Sequence, residues 1–176
     1  MSESEWIEKV MSQMNTQDKV SQLFVIRSKS DNNIEEINYI KNLLAKYAIG
    51  GVCFFQGTPR RQVELTNTYQ SICRVPLMIS MDAEWGLAMR IDSTVRFPRQ
   101  MSIAAIRDTS LIYEMGKEIG RQCKRAGINI NFAPSIDVNN NPKNPVIFER
   151  SFGDSPENVA QKGHMLCKAM EEEGIL

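Results

Sequence analysis

The chain contains a single histidine, no Cys-x-x-Cys pair among its four cysteines, no surplus of either charge and no glycine-rich phosphate motif behind any apolar run. Each shortage removes a class of function. With only His164 to help, and with Cys53, Cys73, Cys123 and Cys167 spaced widely, a structural zinc site lacks its ligand set. The cysteines read instead as buried reduced thiols, small hydrophobes that a core accepts readily. Lysine plus arginine equals aspartate plus glutamate at 21 each, so no net field gathers nucleic acid or holds an anionic membrane. A neutral or small polar ligand fits better. No apolar run approaches the roughly 20 residues of a membrane helix. Met1 to Lys9 is acidic rather than the basic stub of an export signal, so no targeting signal is visible and the compartment stays open. Without G-x-G-x-x-G or G-x-x-x-x-G-K after a strand, the phosphate cradle of a nucleotide-binding sheet is missing.

What remains is an ordinary globular composition, 42% apolar and 24% charged over 176 residues. Trp6 to Met14 has helical spacing, and Thr16 can cap a second short helical turn. The run Leu23-Phe24-Val25-Ile26 is the first strand candidate. From Ile34 to Tyr47, Ile34, Ile37, Ile40, Leu43 and Leu44 recur at steps of three and four, the stripe of a helix packed on a sheet. The alternation repeats. Gly51 to Phe55 reads as strand, Thr58-Pro59 opens a helix, Pro76 to Met81 reads as strand, Leu111 to Arg125 as helix and Ile128 to Ala133 as strand. Ser155-Pro156-Glu157 opens a last helix, and Gly174-Ile175-Leu176 looks like the start of a fifth strand.

Apolar strands alternating with amphipathic helices predict a parallel α/β sheet. Its two forms are an open doubly wound sheet and a closed barrel. A barrel typically takes about 250 residues, so length favours the open sheet. The long polar loops after the third and fourth strands favour the barrel, whose chemistry gathers at the C-terminal strand ends. The first loop carries Asp82, Glu84, Trp85 and Arg90, types that hold hydroxyls, donate a forked pair of bonds and cover a pyranose face. The plain alternative is that Asp82 caps a turn and pairs with Arg90. In the second loop, Asn131, Asp137 and Asn139 to Asn141 read as backbone scaffold. Arg150 needs partners there, and a ligand or Asp137 could supply them. His164 lies within the last helix and reads as a surface or structural residue, and the ten methionines as packing.

These residues resemble the N-terminal catalytic barrel of glycoside hydrolase family three, in its β-N-acetylglucosaminidase branch. The resemblance spans nearly the whole chain. It rests on Gly50-Gly51-Val52 with Phe54-Phe55-Gln56-Gly57, Asp82-x-Glu84 with Arg90, Arg96-Phe97-Pro98, Asn131-Phe132-Ala133-Pro134 with Asp137-Val138, and Arg150-Ser151-Phe152-Gly153. It implies a (β/α)8 barrel of the TIM type, of which residues 1–176 are the N-terminal half: a single incomplete domain of about four βα units. It further implies retaining hydrolysis of terminal β-linked N-acetylglucosamine from oligosaccharides or cell-wall fragments, with no metal or other cofactor. Asp82, Arg90 and Arg150 match the residues that hold the sugar. The family's Lys-His motif, its general acid/base histidine loop and its aspartate nucleophile do not occur in these residues. The implied catalytic set is therefore empty and this chain alone is expected to be inactive, since double displacement needs both groups. The partners expected are a carbohydrate substrate and the C-terminal half of the barrel, with self-association of the chain where an apolar sheet face stays uncovered. One departure is Trp85, where many members have the first of two glycines; a ring there reshapes the mouth of the pocket. A stand-alone module that binds amino sugars without cutting them is the rival reading, and an open-sheet enzyme for phosphorylated small molecules a third.

Overall fold

The computed structural model describes all residues, 1–176. Two short helices, α1 (Glu3–Ser12) and α2 (Thr16–Ser21), lead into β1 (Val25–Ser30), α3 (Ile34–Lys46), β2 (Gly51–Gly57), α4 (Pro59–Ile72) and β3 (Met78–Met81). Then come α5 (Gln100–Ala104), α6 (Thr109–Arg125), β4 (Ile130–Asn131) and α7 (Pro156–Glu172). All strand pairs are parallel and the sheet order is β1-β2-β3-β4. That order decides between the two architectures. A doubly wound sheet reverses its strand order at a switch point and covers both faces with helices, whereas here the strands follow one another like the arc of a barrel.

The two faces differ as an arc requires. Ser28, Val52, Phe54, Ile79 and Met81 are buried on the face toward the helices, where Phe54 stacks on Tyr69 of α4 at 5.9 Å between ring centroids. On the other face, Val25, Cys53, Phe55 and Met78 are exposed or half-buried. α6 and α7 pack closely because Gly116 and Gly120, one turn apart, let the second helix come near: a Cβ at Gly116 would stand 2.7 Å from that of Ala169.

Several local expectations shift. Asn15, not Thr16, caps α2, accepting from the Asp18 N–H at 2.9 Å while Asp18 answers with a bond to the Asn15 N–H. β1 starts at Val25 and runs into polar residues. Leu23 and Phe24 are taken by the turn leaving α2, their N–H groups donating to Val20 and Ser21. β1 is thus not continuously apolar: Arg27 is exposed and Lys29 half-buried, while Ser28 and Ser30 between and after them are buried. Regular β4 is two residues long instead of six. Side chains supply part of its pairing: Asn129 Oδ1 accepts from the Ile79 N–H at 3.0 Å, and Asn131 Oδ1 accepts from the Ala83 N–H at 2.9 Å. The sheet has four strands and none is assigned after α7, but the Leu176 N–H donates to Asn129 and its carbonyl accepts from Asn131, the alternation of a parallel ladder at the place expected for a fifth.

Candidate active site

Asp82 is the first residue beyond β3. The chain then makes a 3-10 turn, Leu87–Met89, and returns Arg90 onto Asp82: Nη2 donates to Asp82 Oδ2 at 2.9 Å and Nε to the Asp82 carbonyl at 3.2 Å. The guanidinium also lies over the ring of Phe55 from β2, 4.6 Å from its centroid, so three contacts fix it. The pair the sequence offered as a structural alternative is real. Yet Asp82 Oδ1 and Arg90 Nη1 have no protein partner, and both side chains are partly open to solvent.

Arg150 ends a 3-10 turn, Phe148–Arg150, in the loop between β4 and α7. It does not take Asp137, whose carboxylate accepts from Ser135 Oγ at 2.9 Å and whose carbonyl accepts from Ser151 Oγ at 2.6 Å. Its partner is Glu84: Nε donates to both carboxylate oxygens at 3.0 Å, and Nη2 to Oε1 at 2.6 Å. Glu84 is buried and Asp137 exposed, and a buried carboxylate gains more from a forked donor than an exposed one does. The bonds to Glu84 hold the Arg150 guanidinium above its ordinary pKa, and the charges of Asp137 and Asp82 act in the same direction. Arg150 Nη1 keeps one long bond, 3.4 Å to the Val146 carbonyl.

The structure therefore puts Asp82 and Arg90 in contact and brings Arg150 to the same strand-end rim through Glu84. Sequence reasoning read Glu84, like Asp82, as a carboxylate for sugar hydroxyls; the structure instead commits both of its oxygens to Arg150. Asn131 serves as the backbone scaffold expected of the asparagines, bridging β4 to Ala83 by two bonds. Cys53 faces this rim from β2; burial raises its thiol pKa, the neighbouring Ser80 hydroxyl opposes that, and Asp82 and Arg90 also act on it. His164 is exposed on α7, away from these groups. A 560 Å³ cleft lined by Ile26, Glu35, Tyr39 and Leu43 lies apart from the rim, between β1 and α3.

Residues 15–176 match the family description "Glycosyl hydrolase family 3 N terminal domain". The chain belongs to glycoside hydrolase family 3. Among its family 3 relatives, "Beta-hexosaminidase A" of Pseudoalteromonas piscicida is 35% identical over 150 residues, 78% of this chain and 25% of that protein. The "Beta-N-acetylglucosaminidase/beta-glucosidase" of Cellulomonas fimi is 27% identical over 170 residues, 97% of this chain and 29% of that one. A solved family 3 β-N-acetylglucosaminidase from Paenibacillus sp. str. FPU-7 superposes with a TM-score of 0.81 at 32% identity, covering 92% of this chain and 32% of its own. A β-glucoside phosphorylase, BglX, gives 0.90 over 100% of this chain and 32% of its own at 21% identity, a likeness of fold alone. The family 3 chain thus spans between a quarter and a third of these relatives' lengths. Its sheet is the N-terminal arc of their barrel.

Proposed function

We propose that this family 3 chain is the sugar-holding part of a retaining β-N-acetylhexosaminidase that removes terminal β-linked N-acetylglucosamine from oligosaccharides or cell-wall fragments. The observation that carries the proposal is the Asp82–Arg90 pair at the β3 end, locked by Phe55 yet with one carboxylate oxygen and one guanidinium nitrogen unpartnered. A carboxylate accepts from two neighbouring sugar hydroxyls, and a guanidinium donates to hydroxyl or carbonyl oxygens. Arg150 Nη1 adds a third group on the same rim. The names of the Pseudoalteromonas, Cellulomonas and Paenibacillus relatives, hexosaminidase or N-acetylglucosaminidase in each case, support the choice of amino sugar.

Retaining hydrolysis needs one group to protonate the leaving oxygen and another to attack the anomeric carbon. Here both rim carboxylates are engaged by guanidiniums. Asp82, Arg90 and Arg150 then bind and orient the hexose, while acid/base and nucleophile come from outside these residues. The test is a titration of the chain with N-acetylglucosamine followed by NMR, beside an assay with an aryl β-N-acetylglucosaminide. Saturable shifts at the 82–90 loop, lost in Asp82→Ala, are expected. The thermal midpoint should move little, because Asp82 is about a third exposed and its pair worth about 1 kcal/mol or less. No aryl alcohol should be released by the chain alone. Binding unchanged in Asp82→Ala, or steady release by the chain, overturns the proposal.

A further inference from the structure

Two neighbouring residue pairs, Glu84-Trp85 beyond β3 and Glu149-Arg150 before α7, meet through two different contacts. Arg150 forks onto Glu84. Glu149 accepts from Arg99, whose guanidinium lies over the Trp85 ring 4.7 Å from its centroid. Because peptide bonds join 84 to 85 and 149 to 150, the contacts close into a ring that runs Glu84, Trp85, Arg99, Glu149, Arg150 and back to Glu84.

The scaffold under the ring is built to keep it closed. The Trp85 carbonyl accepts from the Phe97 N–H at 3.1 Å, and buried Gln100 donates through Nε2 to the Glu84 carbonyl at 3.0 Å. Gly86 has φ +82, and a Cβ there would stand 2.7 Å from the Phe97 ring, so only glycine allows the loop to fold back this tightly. Arg99 arrives at the start of α5, which packs against the turn carrying Glu149.

We infer that Trp85 is a positioning residue for Arg150 and tunes the affinity of the sugar site through it. The inference rests on the reading of that site given above. Arg99 and Glu149 are 40% and 45% exposed, and an ion pair so open, left to itself, is weak and poorly oriented. The indole gives the Arg99 guanidinium a flat platform, which fixes the geometry of its bond to Glu149. Glu149 so held fixes the next peptide, from which Arg150 reaches Glu84. Arg150 is then presented in one orientation, with Nη1, held only by its 3.4 Å bond to the Val146 carbonyl, able to add a bond to the ligand. Glycine at position 85 would leave the ring open.

A double-mutant cycle on the chain tests this, with N-acetylglucosamine as the probe and Kd read by NMR titration. Trp85→Ala should weaken binding about 5-fold. Trp85→Phe, which keeps a platform, should restore it to within about 2-fold. In an Arg150→Lys background, which lacks the fork, Trp85→Ala should change Kd by less than about 2-fold. Arg99→Met should behave as Trp85→Ala does, and thermal unfolding of each variant confirms that it folds. Equal losses from Trp85→Ala in both backgrounds overturn the inference, as does no loss in either. Asp82→Ala run alongside separates the two claims: if it weakens binding while the Trp85 variants do not, only the ring falls; if it has no effect, the sugar site itself falls.

Discussion

Removing either partner of the Glu84–Arg150 pair should cost very different amounts. The Glu84 side chain is 4% exposed and that of Arg150 35%. Both oxygens of Glu84 depend on Arg150 for their bonds. Arg150→Ala therefore strands a buried carboxylate, at a cost of about 3 kcal/mol, the lower part of the range for breaking a buried pair. Glu84→Gln keeps the buried shape and leaves a guanidinium that can turn to water, costing about 1 kcal/mol. The difference of about 2 kcal/mol corresponds to a gap of about 4–8 °C between the two thermal midpoints in a domain of this size. Calorimetry or circular dichroism at pH 7 measures it. If Glu84→Gln costs as much as Arg150→Ala, the pair is not the buried, one-sided contact described here.

Gly116→Ala should destabilise despite a helix-propensity gain of about 1 kcal/mol. The new methyl would stand 2.8 Å from the Leu166 carbonyl as well as close to Ala169, and overpacking of this kind costs about 1–3 kcal/mol; a rise in thermal midpoint would refute the close α6–α7 seam. Burial pushes the Cys123 thiol up to about 12, so about one in 10⁴ is thiolate at pH 8. It should react with a disulfide reagent only on unfolding, after half-buried Cys53, Cys73 and Cys167, and fast native labelling of Cys123 would count against the packing. Leu23 is 84% and Phe24 57% exposed, beside Val25 at the sheet edge, a surface that seeks cover. Sedimentation at micromolar concentration should show species heavier than the 20.0 kDa chain, and a monodisperse monomer would refute that.

Helices were the most legible elements because their signals are local. Thr58-Pro59 and Ser155-Pro156 cap α4 and α7 as their sequence announces, and the Ile37, Ile40 and Leu44 stripe is buried. Strand limits were less so. Leu23 and Phe24 are as apolar as any strand residue, but the hydrogen bonds leaving α2 claim their N–H groups first. β4 is short for the opposite reason: asparagine side chains, invisible to a hydrophobicity pattern, take over ladder bonds. In the site, the eight-residue return from Asp82 to Arg90 could be anticipated as an ion pair within one loop. The partner of Arg150 could not, because Glu84 and Asp137 are both plausible by charge, and 66 residues separate Arg150 from Glu84.

The order of residues by itself determined that this is an alternating α/β chain with polar strand-end loops, since apolar period and capping chemistry act over a few residues. Only the tertiary structure decided that the strands run as one sequential arc with helices on one face. It alone showed that Arg150 belongs to Glu84, and that Trp85, Arg99 and Glu149 close a ring around that pair. Such choices depend on which distant side chains burial brings within hydrogen-bond reach, and no local pattern records that distance.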